Sequence, residues 1–422
     1  MISIDLIRND LEHLSSALLA KGHSDDLDEV VNLDMLHRKS LSEVNELRAE
    51  RNKVSNQIAE IKKTGGNADN EIRSMREVGE NIKKIENDLA NTKEKLDDIL
   101  LRIPNPPHKS VPIGKDEKEN KVVSSWGEDI KVDFALKSHL EISNQLGLFD
   151  FEQASNISGS GFPLYKGKGA LLERGLINFM IDRQTNKNGY MEIFPPFLVN
   201  SKSALTTGNL PKFSEDMYHS EVDNLWLIPT AEVPITSYHR DQILQEDDLP
   251  KKYAAFSACF RREAGSYGKD TKGLLRLHQF NKVELVQFVK PEDSYSILEE
   301  LTSHAEDILR SLNLKYRKVE LCSGDLSFSA AKCYDLEVWS PAEEKWLEVS
   351  SCSNFEDFQA RRGNIRYRKS SDKKVEFVHT LNGSGLATPR LMVALLETYQ
   401  NHDGTIKVPE ALQEYIKLKT ID

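Results

Sequence analysis

The amino-acid sequence predicts an α+β protein: an antiparallel sheet flanked by helices, preceded by an antiparallel coiled-coil hairpin. Three observations carry this expectation. Between Leu47 and Ile99 a seam recurs at alternating intervals of three and four residues, the spacing two helices need to bury a shared stripe. Strand signals near 252–263, 274–289, 334–339 and 346–351 do not alternate regularly with helices, which favours an antiparallel sheet over a doubly wound one. The 422 residues are 39% hydrophobic and 29% charged, the balance of a chain with a packed core and room for two or three domains.

The helical seam runs through Leu47, Arg51, Val54, Ile58 and Ile61, then resumes at Met75, Val78, Ile82, Ile85, Leu89, Thr92, Leu96 and Ile99. Between the two runs, Thr64-Gly-Gly-Asn-Ala-Asp-Asn70 is turn chemistry with an Asx residue able to cap the second helix. Two helices joined by a short turn run antiparallel, and about 30 residues per arm give a rod of about 45 Å. The rod ends at Ile103-Pro-Asn-Pro-Pro107, where successive prolines stop a helix. The polar stretch Gly114–Asn120 reads as a linker, so the expected division is 1–105, a linker at 106–125, and 126–422. A helix is expected over 170–187, ahead of Tyr190-Met-Glu-Ile-Phe-Pro-Pro196.

Charge is uneven. The chain carries 56 Lys and Arg against 67 Asp and Glu, a net −11. Residues 38–102 hold 14 basic and 13 acidic side chains, so a +1 arm sits on a −12 remainder. The acidic average speaks against a protein that coats nucleic acid indiscriminately. The sequence lacks a run of about 18 apolar residues and a cleavable signal pattern, so no membrane association is expected. Cys259, Cys322, Cys333 and Cys352 form no CxxC pair, which fits a reducing cytoplasm.

Several familiar motifs fail. Gly161 to Gly169 approaches a phosphate loop, but the spacing is one residue too long and Gly169 replaces the Ser or Thr. HExxH and GxSxG are absent, and the eleven histidines show no metal-ligand spacing. The informative region is 252–289. Alternation along strands places Arg261 with Glu263, opposite Phe256 and Phe260. It places Arg276, His278, Phe280 and Glu284 together, opposite Leu275, Leu277, Val283 and Leu285. Such charge on a half-buried sheet is costly unless a charged ligand meets it. Arginines suit phosphate and a Phe ring offers a base a stacking surface, so a nucleotide site is expected. Asn382-Gly-Ser-Gly-Leu-Ala-Thr-Pro-Arg390 then leads into an apolar helix that Thr388 could cap and Pro389 could start. Arg390 adds positive charge at an anion-friendly helix start.

These pieces resemble the three motifs of class II aminoacyl-tRNA synthetases, and within them the bacterial-type seryl-tRNA synthetases. The helix 170–187 with Tyr190–Pro196 resembles motif 1, Phe260–Gly265 through Arg276–Phe280 motif 2, and Gly383–Arg390 motif 3. Thr207–Phe213, Thr230-Ala-Glu232 and Glu348–Asn354 resemble stretches of the serine enzymes, and Lys269 and Lys272 stand where the family often has arginine. The resemblance implies a six- or seven-stranded antiparallel sheet in a homodimer, with the hairpin as the tRNA-contacting arm. It further implies that Arg261 and Arg390 are the catalytic cations, holding the α-phosphate and the far phosphates of ATP. Phe280 would stack on adenine against the arginine's plane. Arg262, Glu263, Arg276, Glu348, Val349, Ser350 and Ser351 complete the implied ATP contacts, with Mg²⁺ on Glu348 and Ser351. L-serine is implied to meet Thr230, Ala231, Glu232, Arg261, Glu284 and Ser384. The implied partners are tRNA(Ser) and tRNA(Sec), read through the long variable arm. A ligase that loads a carrier protein and a non-catalytic RNA-binding relative are the alternatives. The arm argues against the first, and the intact ATP residues argue against the second.

Overall fold

The computed structural model describes residues 1–24, 27–263 and 272–422, and the chain divides into two compact units. One comprises residues 3–16 and 24–103; the other comprises 1–2, 17–23 and 104–422.

The first unit is built on two long helices, Asp28–Lys63 and Asp69–Arg102. Ile82, Thr92 and Leu96 are buried and the other apolar seam positions from Leu47 to Ile99 are half-buried, so the expected seam is the one used, and buried Val44 and Leu100 lie beyond its expected ends. Arg51 is the exception, being exposed despite its seam spacing. The arms are longer than the expected 30 residues, at 36 and 34. The added turns are held at Asp34, which accepts from Arg8 at 2.6 and 2.8 Å and from Arg38 at 2.9 Å. The Arg8 hydrogen bonds hold the Asp34 carboxyl below the usual carboxylate range. Arg48 and Glu86 pair across the helices at 2.7 Å. In the connecting turn the Asn67 side chain accepts the Asp69 N–H at 2.8 Å, but the N-cap position of the second helix is Ala68 and no side chain caps it, so the expected Asx cap is replaced by an Asx turn one residue earlier.

The second unit centres on an eight-stranded sheet. Its order is Lys121–Trp126, Tyr316–Glu320, Lys332–Ser340, Lys345–Asn354, His379–Ala387, Gln279–Val289, Lys251–Phe260 and Met191–Glu192. All neighbours pair antiparallel except the last, which runs parallel to Lys251–Phe260. The sheet is thus larger than the expected six or seven strands, and its parallel edge is only two residues long, too short for a periodic signal. Residues 106–125, read as a linker, contain buried Val111 and most of the other edge strand.

Helix Lys168–Asn186 packs Leu172, Leu176, Phe179 and Met180 into the main core. Helix Ser294–Ser311 contributes Leu298, Leu301, Ile308 and Leu309. Thr388–Thr398 buries Leu391 through Leu396, as its continuous apolar sequence requires. Pro389 lies in the first turn as expected, but Thr388 does not cap the helix. Its hydroxyl donates instead to Glu173 at 2.5 Å and to the Asn281 carbonyl at 3.2 Å. The Gly-Ser-Gly lies within strand His379–Ala387. A Cβ on Gly383 would collide with Leu301 and the Cys352 sulfur, so the glycine lets a helix sit close on the sheet.

Candidate active site

The strands Lys251–Phe260, Gln279–Val289, Lys345–Asn354 and His379–Ala387 open onto one cavity of about 770 Å³. Thr230, Glu232, Arg261, Glu263, Arg276, Phe280, Glu284, Glu348, Val349, Ser351, Ser384 and Arg390 all line it. Three expected site residues do not. Ala231 is fully buried among Ile235, Val286 and Phe288. Ser350 points inward and donates to the Ser384 carbonyl at 2.6 Å, so it braces a lining residue. The Arg262 side chain is exposed, its backbone N–H bonded to the Asp216 carbonyl at 3.0 Å. Lys269, like 264–271 as a whole, lies outside the described residues.

Alternation places Phe280, Lys282 and Glu284 on the cavity face of one strand. Glu348 and Ser351 have opposite parity, yet both face the cavity. A register shift answers for this: Leu336 pairs with Ser350 and Glu337 with Glu348, leaving Val349 as the extra residue of a bulge.

The cavity holds two sets of polar contacts. In one, Arg276 pairs with Glu263 at 2.6 Å. Arg390 donates to the carbonyls of Leu275 at 3.2 Å and Glu348 at 3.1 Å, and lies 3.6 Å from the Glu348 carboxylate. The Arg261 guanidinium stands 5.1 Å from the centre of the Phe280 ring. These three cations line the open cavity, an arrangement suited to a polyanion with a flat ring.

The second set is buried. Thr230 donates to Glu284 at 2.7 Å, and Lys282 forms an ion pair with the same carboxylate. The other Glu284 oxygen is buried without a hydrogen-bond partner. Gln359 donates to Glu232 at 2.6 Å. Burial, reinforced by the neighbouring Glu284 charge, pushes the Glu232 carboxyl up to about 7. Two carboxylates, one with an orphan acceptor, are matched to a small ligand bearing an ammonium and a further donor.

Sequence reasoning gave no site role to several lining residues: Lys282, which it passed over, and Thr207, Asn209, Ser353 and Asn382, which lie in stretches it singled out. Lys282 shares the parity of Phe280 and Glu284, so the signal that found its neighbours was available for it too. Gln359 lies about 130 residues from the carboxylate it holds, and a single sequence has no signal for that pairing.

Residues 213–399 match the family model described as tRNA synthetase class II core domain (G, H, P, S and T), so fold and cavity together define a class II aminoacyl-tRNA synthetase core. Residues 1–107 match the seryl-tRNA synthetase N-terminal domain. The serine–tRNA ligase of Carboxydothermus hydrogenoformans is 53% identical, over 100% of this chain and 99% of its own. That of Caldicellulosiruptor saccharolyticus is 61% identical over 75% of each chain. The crystal structure of seryl-tRNA synthetase from Pyrococcus horikoshii complexed with ATP superposes with a TM-score of 0.94, at 38% identity, over 100% of this chain and 99% of that one. The chain belongs to the seryl-tRNA synthetase family.

Proposed function

We propose that the chain activates L-serine with ATP, giving seryl-adenylate and pyrophosphate, and then transfers the seryl group to the 3′ end of tRNA(Ser). The observation that carries this reading is the pairing of a cationic set, Arg261, Arg276 and Arg390, with a buried acidic set, Glu232 and Glu284, in one cavity. An enzyme that joins an amino acid to ATP needs both.

In the first step a serine carboxylate oxygen attacks the α-phosphorus in line, and the bond to pyrophosphate breaks. A carboxylate is already a nucleophile, so no general base is invoked. The protein's contribution is positioning and neutralisation of phosphate charge. In this reading Arg261 meets the α-phosphate and the serine carboxylate, Arg390 the outer phosphates and Phe280 the adenine, which is supported by all three lining the same cavity. In the second step the terminal ribose hydroxyl of the tRNA attacks the acyl carbon and AMP departs.

Glu348 and Ser351 both present hard oxygens to the cavity, a fitting but incomplete donor set that would hold Mg²⁺ together with phosphate oxygens and water. When bound, the ion supplies further neutralisation of the phosphates.

Four finer assignments belong to the same reading. Residues 1–105 form the tRNA-binding domain and 126–422 the catalytic domain. The hairpin serves tRNA(Sec) as well as tRNA(Ser). The chain works as a homodimer, for which Met191 and Phe194 provide an apolar edge, 65% and 74% exposed beside the short parallel strand. It acts in the cytoplasm; among the described residues no helix is long and apolar enough to cross a membrane, and the four cysteines are free and buried. Serine-dependent exchange of pyrophosphate into ATP tests the first step. Exchange supported by serine far above alanine or threonine is expected, and equal exchange with alanine would overturn the roles given to Glu284 and Thr230.

A further inference from the structure

A cluster outside the mechanism above joins buried His139 and Glu397 with half-buried Glu343. His139 opens helix His139–Leu146, whose start is fixed by a Ser138–Glu141 capping box. His139 and Glu397 are both fully buried. The His139 Nε2 accepts the Leu274 N–H at 3.4 Å, so the ring proton sits on Nδ1. Nδ1 has no partner at hydrogen-bond distance and faces Glu397 at 3.5 Å and Glu343 at 3.9 Å. Glu397 in turn accepts the His139 backbone N–H at 3.2 Å, the Ala342 N–H at 3.2 Å and the Ser340 hydroxyl. One His and two carboxylates are also a donor set for a divalent cation. A cation on Nδ1, however, moves the proton to Nε2, where it would oppose the Leu274 N–H.

What this cluster holds is the rim of the cavity. Leu274 and Leu275 both line it, and the Leu275 carbonyl accepts from Arg390. Arg390 and Glu397 lie on the same helix, Thr388–Thr398, seven residues and therefore two turns apart on one face. The segment 274–275 is thus tied to that helix twice, once through Arg390 and once through His139 and Glu397. Gly273 has a φ of +60°, and a Cβ there would collide with the His139 ring. The chain bends so that the imidazole can reach Leu274.

We infer that His139 is a positioning residue for ATP: it fixes segment 274–275 and, through the Leu275 carbonyl, holds the Arg390 guanidinium ready for the outer phosphates. The inference rests on the assignment of Arg390 to ATP. His139→Phe keeps a ring of similar shape but no acceptor, and Glu397 retains its three other donors. His139→Gln returns an acceptor at similar reach. Pyrophosphate exchange measured at varied ATP and varied serine is expected to show KM for ATP raised about tenfold in His139→Phe, the scale of one net hydrogen bond. KM for serine stays unchanged, and His139→Gln recovers most of the loss. Gly273→Ala, which displaces the imidazole without replacing it, gives the same ATP-selective change and serves if His139→Phe fails to fold. Parallel rises in both KM values, an unchanged KM for ATP, or no recovery in His139→Gln would overturn the inference. If Arg390→Ala itself left KM for ATP unchanged, the fault would lie in the ATP assignment beneath it.

Discussion

In the proposed function, substrate choice turns on Glu284. Its carboxylate is buried, paired with Lys282 and bonded to Thr230, yet one oxygen is left without a donor. Serine's hydroxyl can supply that donor and alanine cannot, so exchange with serine is expected to exceed that with alanine by about 10⁴–10⁵. Threonine differs only by a methyl group that must be refused space, a discrimination of about 10–200-fold, so it is the closer competitor. Arg261→Ala is expected to lower the exchange rate by about 10²–10³, read directly from turnover at saturating substrates. Glu232 adds a pH dependence. Its carboxyl titrates near 7 in the folded chain, above the ordinary 4.5, so the folded state holds the extra proton between those values. This group therefore subtracts stability as pH rises from about 4.5 through 7. An ammonium ligand favours the ionised form, so serine should raise Tm more at pH 8 than at pH 6, and Glu232→Gln should flatten that difference in a thermal-shift titration. Strand parity made Phe280 and Glu284 legible before any coordinates. Ser351 beside Glu348 was not legible from parity, because a one-residue bulge reverses it.

At the scale of elements, the proposed function divides the labour between the hairpin and the helix Thr388–Thr398. Deleting residues 41–99 removes most of both arms and touches none of the cavity. Pyrophosphate exchange is expected to survive the deletion, while transfer of serine to tRNA is lost. Retained transfer would show that the arm is not the tRNA contact. Thr388 carries a different burden. It donates to Glu173, a buried carboxyl that burial pushes up to about 7 and whose second oxygen already lacks a partner. Thr388→Val should therefore cost about 1–3 kcal/mol, measured by denaturant unfolding, more than loss of an exposed hydroxyl would. The hairpin could be read from spacing because a seam of three and four admits one geometry. Thr388 was misread as a cap because cap preference is local, whereas its partner lies 215 residues away.

Across the whole molecule, net charge is a poor guide to partners. The average of −11 conceals a near-neutral arm on an acidic remainder, and three arginines in one cavity. Acidity of this kind opposes indiscriminate polyanion binding, while local cations admit ATP and one class of RNA. The fold class was legible because heptad spacing and irregular strand order survive averaging. The sheet's parallel edge and its eight-strand count were not, since they depend on pairings between segments too short to carry a period. The most direct test of the account is ATP-dependent attachment of labelled serine to purified tRNA(Ser) by the full chain. Serine is predicted to appear on the tRNA, with alanine and threonine far behind. No attachment of serine, or attachment of alanine at a comparable rate, would contradict it.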